Sequence, residues 1–329
     1  MRNKIITFIL AVLFIQILAV SVMAEQKRIK RSEWTYDENQ FMAILSMITR
    51  GDTKGVLAAG PHIPVVAKMK DRGIVMEGYT ALHCAAAHGN VEVSELLIKN
   101  GSNPNNKAIT GETPVHCAAF WGRVPVLLLF RRVGADFEVR SEQGITPILF
   151  VSRSNNPVAL NLLISYGCNI RDTDNKGGTA LQYAAEAGAA VTLKALIEKG
   201  LAANTKNRDG FTALPYACRS GSLDTVKVLF DNGLPLDEKF EKNTTLLMLA
   251  SEKGDERLIN FLIENKADID GINDEGNTAL HIAAQNGNVK AIKALRAKGA
   301  KTDIKNKAGK TPIDVAKAQR QSEAEKALK

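Results

Sequence analysis

The sequence predicts an all-α solenoid of stacked helix-turn-helix units joined by extended, β-hairpin-like fingers, and three observations carry that prediction. Glycines return every 33 residues at Gly78, Gly111, Gly144, Gly177, Gly210, Gly276 and Gly309, with Asn243 at the one missing position. Two residues after each stands a threonine: Thr80, Thr113, Thr146, Thr179, Thr212, Thr245, Thr278 and Thr311. Behind each threonine, apolar residues fall into two short runs, each closed by a glycine lattice of its own. A fixed period of this length marks an array of like supersecondary units.

The elements before the lattice differ from it. Arg2 and Lys4 precede an apolar run from Ile5 to Val20 that only Thr7 and Gln16 interrupt. Ser21-Val22-Met23-Ala24 then sets small or slim residues before a cut after Ala24. Residues 1–24 thus read as a secretory signal peptide, which places the chain in a bacterial periplasm or outside the cell. The alternative is an uncleaved single-pass anchor, because about 18 apolar residues reach across a bilayer. The basic cluster Lys27, Arg28, Lys30 and Arg31 favours a cytoplasmic side and so the anchor. Residues 25–38 form a basic linker. From Asn39 to Ala59 the pattern Phe41, Ile44, Leu45, Ile48, then Gly51-Asp52, predicts a degenerate N-terminal capping repeat. Gly60 to Glu77 is expected to be a longer loop, with Pro61 and Pro64 in it.

Within the array, each fixed residue has a physical reason. Threonine at a helix start caps free backbone N–H groups. Pro114, Pro147 and Pro312 follow it, where a helix tolerates proline. His83, His116 and His281, and likewise Gln182, stand three residues after the threonine, where a side chain reaches back to the cap. The Ala-Ala pair that follows keeps the first helix slim. Gly89, Gly122, Asn155, Gly188, Gly221, Gly254 and Gly287 end that helix, and the one substitution is asparagine, the other residue that turns left-handed cheaply. The second helix carries Leu96-Leu97, Leu129-Phe130, Leu162-Leu163, Ala195-Leu196, Val228-Leu229, Phe261-Leu262 and Ala294-Leu295. Gly101, Gly134, Gly167, Gly200, Gly233, Lys266 and Gly299 close it. Seven repeats therefore fill residues 78–308. Residues 309–329 form a C-terminal cap whose second helix turns polar at Arg320, Gln321, Glu323, Glu325 and Lys326.

One unit cannot stand alone. Ordering costs about 1–2 kcal/mol per residue, and burying one leucine returns about 1.5–3 kcal/mol. Stacking on both sides closes that gap, so such units come as capped arrays.

The strings Thr80-Ala-Leu-His-Cys-Ala-Ala, Thr113-Pro-Val-His-Cys-Ala-Ala and Thr278-Ala-Leu-His-Ile-Ala-Ala resemble the ankyrin repeat, whose signature is T-P-L-H-x-A-A. The resemblance runs from about residue 78 to residue 329. It implies a protein-binding scaffold that holds its partner on a concave surface of finger tips and first helices.

Composition and motifs point away from other classes. The chain has 329 residues, 24% of them charged, and a net charge of +8 that is partly terminal. Nucleic-acid binders gather their basic residues into one stripe, and here no aromatics interleave with basic residues as a stacking platform. His83 and His116 share one phase, so they lie a helix spacing of about 8–10 Å apart, too far to share a zinc at about 2 Å from each. Cys84, Cys117, Cys168 and Cys218 read as free core fillers. Gly309-Lys310-Thr311 lacks the glycine five residues earlier that a phosphate loop needs, since Ile304 stands there. Asn243-Thr244-Thr245 matches a glycosylation acceptor, but Thr245 belongs to the cap lattice. No catalytic residue, cofactor or metal site is expected, and the chain is read as a non-enzyme.

The positions that escape the 33-residue constraint mark the candidate partner-binding residues. They are His88, Phe120, Trp121, Arg153, Glu186, Arg219 and Glu252 on the first helices, and Phe240 on a finger. Phe120 and Trp121 stand out as an aromatic pair, and tryptophan and arginine are enriched in interface hot spots. The other reading folds Trp121 over its helix end as a shield for the core. Arg153, Glu186, Arg219 and Glu252 alternate in sign, which suits mutual pairing or a partner of complementary pattern. The expected partner is another protein, bound by a monomer; a membrane enters only if the leader is uncleaved. Alternatives are an accessory inhibitor or protector of a co-exported enzyme, or a secreted host-directed effector.

Overall fold

Helices begin one residue after each lattice threonine in most repeats, and the reason is visible in the hydrogen bonds. A computed structural model describes residues 46–48, 50, 52, 54–55, 64–69 and 74–329. The expected leader and basic linker, residues 1–24 and 25–38, lie outside the described residues, as does most of the N-terminal cap. Of that cap, residues 46–48, 50 and 54–55 are helical and Ile48 is buried. The division into two compact units falls between Pro147 and Ile148.

In the first unit, the stretch expected as a loop holds an antiparallel pair, β1 (Pro64–Met69) and β2 (Ile74–Thr80). β2 is rich in strand formers, with Ile74, Val75, Tyr79 and Thr80, and β1 carries Val65 and Val66; Pro64 sits at the first strand position, where a missing N–H is tolerated. The expected loop is thus corrected to a hairpin over its described residues. Four helices follow: α1 (Ala81–His88), α2 (Val91–Lys99), α3 (Pro114–Phe120) and α4 (Val124–Arg132). First helix packs on first helix and second on second, α1 against α3 and α2 against α4.

The second unit repeats the pattern through α5 (Pro147–Ser152), α6 (Pro157–Ser165), α7 (Ala180–Glu186), α8 (Ala190–Glu198), α9 (Leu214–Ser220) and α10 (Leu223–Asp231). A two-residue pair, β3 (Lys239–Phe240) and β4 (Thr244–Thr245), brackets a 3-10 turn at Glu241–Asn243. Then come α11 (Leu246–Lys253), α12 (Glu256–Glu264), α13 (Ala279–Gln285), α14 (Val289–Ala297), α15 (Pro312–Ala318) and α16 (Ser322–Leu328). Helices α7, α9, α11, α13 and α15 stack in succession, as do α6, α8, α10, α12, α14 and α16. Among the described residues no helix is long and apolar enough to cross a membrane.

The core follows the lattice. Leu97, Phe130, Leu163, Leu196, Leu229, Leu262 and Leu295, one per second helix, have no exposed surface. The slim pairs of the first helices, such as Ala85-Ala86 and Ala283-Ala284, are equally buried. Where serine replaces the second alanine, its hydroxyl is satisfied inside the helix: Ser152 Oγ donates to Ile148 O at 2.8 Å and Ser251 Oγ to Leu247 O at 2.7 Å.

The histidine at the third helical position does more than close its own cap. The backbone N–H groups of Thr80, Thr113 and Thr278 donate to Nδ1 of His83, His116 and His281 at 3.0–3.1 Å. With Nδ1 accepting, the ring proton sits on Nε2, which donates to the carbonyl of a residue in the next repeat: Glu112 at 3.2 Å, Ile145 at 3.0 Å and Lys310 at 3.0 Å. Gln182 reproduces both bonds, accepting from Thr179 N–H at 2.8 Å and donating to Phe211 O at 2.7 Å. One side chain thus closes a helix start and ties two repeats together. Burial holds His83 and His116 far below the ordinary histidine range, each at about 4, so both are neutral at physiological pH.

Candidate functional site

The fingers position the first-helix side chains, and a second short-range lattice sets the fingers. Asp174, Asn207, Asn273 and Asn306 recur at multiples of 33 residues, and each accepts two backbone N–H bonds from its own turn through Oδ1. These are Asx turns, which side-chain oxygens form cheaply. Two of them also reach the first helix nine residues on. Tyr183 Oη donates to Asp174 Oδ2 at 2.8 Å, and Asn207 Nδ2 donates to Tyr216 Oη at 2.9 Å. Burial, then the Asp174 carboxylate, raises the Tyr183 phenol, and burial raises that of Tyr216. Both rings are held in place as uncharged surfaces.

Phe240 occupies the phase that carries Asx in its neighbours. Its finger lacks the Asx turn and instead closes on Lys242 and Asn243 with φ of 54° and 57°. That geometry puts Lys242 at the tip and turns Phe240 inward, so the expected finger-tip exposure of Phe240 is corrected: it is buried. Its ring packs on Phe211 at 4.6 Å and edge-on to Tyr216 at 5.4 Å between centroids.

Over this aromatic floor lies a row of charges. The Arg219 guanidinium stands 5.2 Å from the Phe240 ring centre and 5.5 Å from that of Tyr216. Arg153 is 5.9 Å from the Tyr183 ring centre. Glu186 joins the two, with Oε2 at 2.5 Å from Arg153 and Oε1 at 4.0 Å from Arg219. Side-chain exposures of 10% for Arg153, 44% for Glu186 and 38% for Arg219 make the first a buried anchor and the other two a presented surface. The structure therefore brings Arg153, in the turn just after α5, together with Glu186 on α7, Arg219 on α9 and Phe240 on β3. Glu252 is exposed on α11 and is not part of this network.

In the first unit, His88 and Trp121 are half-buried and Phe120 is buried. The expected exposed aromatic pair is thus corrected for Phe120, which packs edge-on to Trp121 at 5.4 Å. Arg123 Nε donates to Ala87 O at 2.8 Å, and its guanidinium lies 5.7 Å from the Trp121 ring centre. Trp121 thereby presents one partly covered face. Nδ1 of His88 is 2.9 Å from Cys84 O, and burial lowers the pKa of the ring.

Tyr183, Tyr216 and Phe211 are the residues that sequence reasoning misses. The tyrosines stand at a first-helix phase filled by Leu249 and Ile282 in later repeats, so they pass for core. The one signal is their hydroxyl nine residues after an Asx. All four cysteines are buried, and burial pushes the Cys84 thiol up to about 12. Among the described residues, no three of His, Cys, Asp and Glu gather where they could hold a metal ion.

A family model described as "Ankyrin repeats (3 copies)" matches residues 57–141, 148–240 and 247–328. Among solved structures, the human ASB11 ankyrin repeat domain is similar at a TM-score of 0.57 and 24% identity, covering 66% of this chain and 96% of that one. No curated protein matches the chain. The repeat lattice, the histidine ties and these matches agree, and the chain belongs to the ankyrin-repeat family.

Proposed function

We propose that this chain is a protein-binding module and that its second unit binds through the first-helix face carrying Arg153, Glu186 and Arg219. Ankyrin repeats are generally protein–protein interaction modules. The observation that supports this face is the charged row on an aromatic floor. The scaffold beneath is invariant in phase, while Tyr183, Tyr216, Phe240 and the two arginines differ from their counterparts in other repeats. Arginine and tyrosine on a rigid support are the side chains that dominate interface energies. Trp121, partly covered by Arg123, offers a contact of the same kind in the first unit. We also infer that the chain is exported to the periplasm or secreted, supported by Arg2, Lys4, the run Ile5–Val20 and the small-residue pattern ending at Ala24. Mature protein isolated from its native compartment is expected to begin at Glu25.

A photo-crosslinking amino acid at position 186 tests the binding face, with one at Val191 as control. Val191 is exposed on the second helix α8. Adducts of defined mass are expected from position 186 in cells and not from 191. Adducts of equal yield from both, or from 191 alone, would remove the first-helix face as the binding surface.

A further inference from the structure

We infer that Arg219 is an anchor for the side-chain carboxylate of an Asp or Glu on the bound protein. This rests on the first-helix face being the binding surface and names the chemistry it selects. Two ring contacts, at 5.2 Å to Phe240 and 5.5 Å to Tyr216, fix the guanidinium before any partner arrives. Tyr216 is itself pinned by Asn207, and Phe240 by Phe211, so the cradle does not depend on the ligand. Among the described residues no acceptor makes a hydrogen bond to the Arg219 guanidinium, and its ion contact with Glu186 is long, at 4.0 Å. Glu186 is already committed to Arg153 at 2.5 Å through its other oxygen.

An arginine fork carries five N–H donors in one plane, matched to the two oxygens of a carboxylate. Here the side chain that carries the fork is 38% exposed, its guanidinium lies over two rings, and among the described residues it has no hydrogen-bonded acceptor. The order lost on binding is therefore small, which is the condition under which a polar anchor adds affinity. Glu186 decides between anions. A carboxylate adds one negative charge beside it, whereas a phosphate adds nearly two at the same distance. Arg219 and the buried Arg153 offset the former, so the carboxylate is the fit.

The test uses a phage-displayed library of random twelve-residue peptides selected on the full chain, followed by binding measurements with the synthetic winners. Peptides that bind this face are those crosslinked by a photo-reactive residue at position 186 and not by one at Val191, and they are expected to share one Asp or Glu. Replacing that acid by Asn should weaken binding to the wild type about tenfold or more, the range of a charge-assisted hydrogen bond. The same replacement should cost almost nothing against Arg219→Gln, because the anchor is already gone. Arg219→Lys, which keeps the charge and loses the fork, should lie between them, and it guards against an Arg219→Gln chain with a disturbed aromatic floor. Binders that crosslink from position 186 but carry no acid coupled to Arg219 would overturn the anchor while leaving the face intact. Tighter binding of a phosphoserine in place of the acid would overturn the carboxylate assignment. Winners that crosslink from Val191, or from neither position, would remove the face and the anchor together.

Discussion

At the scale of single residues, the lattice glycines do two different jobs that the sequence writes with one letter. Gly111 and Gly134 have nearly the same left-handed φ, 83° and 78°. A methyl group at Gly134 would meet nothing within 4 Å, whereas one at Gly111 would lie 2.6 Å from Glu142 N and 2.9 Å from Ser141 Cα. At Gly78, Gly111, Gly177 and Gly276 the first glycine lattice therefore admits the next finger, with Lys307 N 2.9 Å away at Gly276, whereas Gly210, which precedes the irregular Phe240 finger, meets nothing within 4 Å. The third lattice only turns the chain, and Lys266 with φ of 69° shows that a side chain is tolerated there. Gly134→Ala should thus cost only the left-handed penalty of about 1–2 kcal/mol. Gly111→Ala should cost about 2 kcal/mol more, because backbone must move to relieve the contact. Urea denaturation of the two variants decides it, and equal midpoints would show that finger approach places no demand on Gly111.

At the scale of the element, each helix start needs an acceptor for its threonine N–H, and the source of that acceptor varies. At α9 the residue three positions after the lattice threonine is Pro215, whose side chain carries no acceptor. Glu238, 26 residues on, supplies it instead, accepting from Thr212 N–H at 2.9 Å through one oxygen and from the Thr212 hydroxyl through the other. Glu238→Ala should leave a buried donor unmet at about 1–3 kcal/mol. Amide exchange should then speed up at Thr212 and Leu214 but not at Thr179, which has Gln182 of its own repeat. Unchanged exchange at Thr212 would exclude Glu238 as the cap. The same case shows what was legible in the sequence and why. The helix pairs, their caps and the three left-handed lattices depend on residues within a few positions, and the 33-residue period exposes them. The burial of Phe120 and Phe240, the hairpin at Pro64–Thr80 and the Glu238 substitution could not be read that way. The two phenylalanines and Glu238 depend on what another segment places alongside, and the hairpin lies ahead of the lattice, where no 33-residue repeat exposes it. Arg153, Glu186 and Arg219 were legible as a sign-alternating row, but the tyrosines beneath them were not, since in phase they match ordinary core positions.

At the scale of the whole molecule, folding stability counts every proton bound differently by folded and unfolded chains. His83 and His116 fall from 6.5 to about 4 through burial. The unfolded chain binds these two protons between those values and the folded chain does not, so their contribution is complete above pH 6.5 and is lost as pH falls toward 4. His281 is lowered in the same direction. Glu112 has the opposite sign. Burial raises its carboxyl from 4.5 to about 7; hydrogen bonding to Thr110, to its own backbone and to Tyr79 opposes the rise in part, and the nearby Glu142 carboxylate adds to it. Its Oε1 has no hydrogen-bond partner among the described residues. The folded chain holds that proton up to about pH 7 and the unfolded chain releases it near 4.5, so Glu112 removes stability as pH rises through this window. Below pH 6.5 at least two histidine protons oppose one from Glu112, and stability should rise with pH by about 1.4 kcal/mol per pH unit for the net proton. From pH 6.5 to about 7 only the Glu112 loss remains, and stability should fall slightly to a plateau. Glu112→Gln removes one side of this balance. Its acid limb should steepen to at least two protons, about 2.7 kcal/mol per pH unit, and its decline above pH 6.5 should vanish. Urea midpoints taken from pH 5 to pH 8 on both chains test the account. A wild type flat across that range, or a variant with an unchanged acid limb, would mean that these buried groups do not govern how the molecule responds to pH.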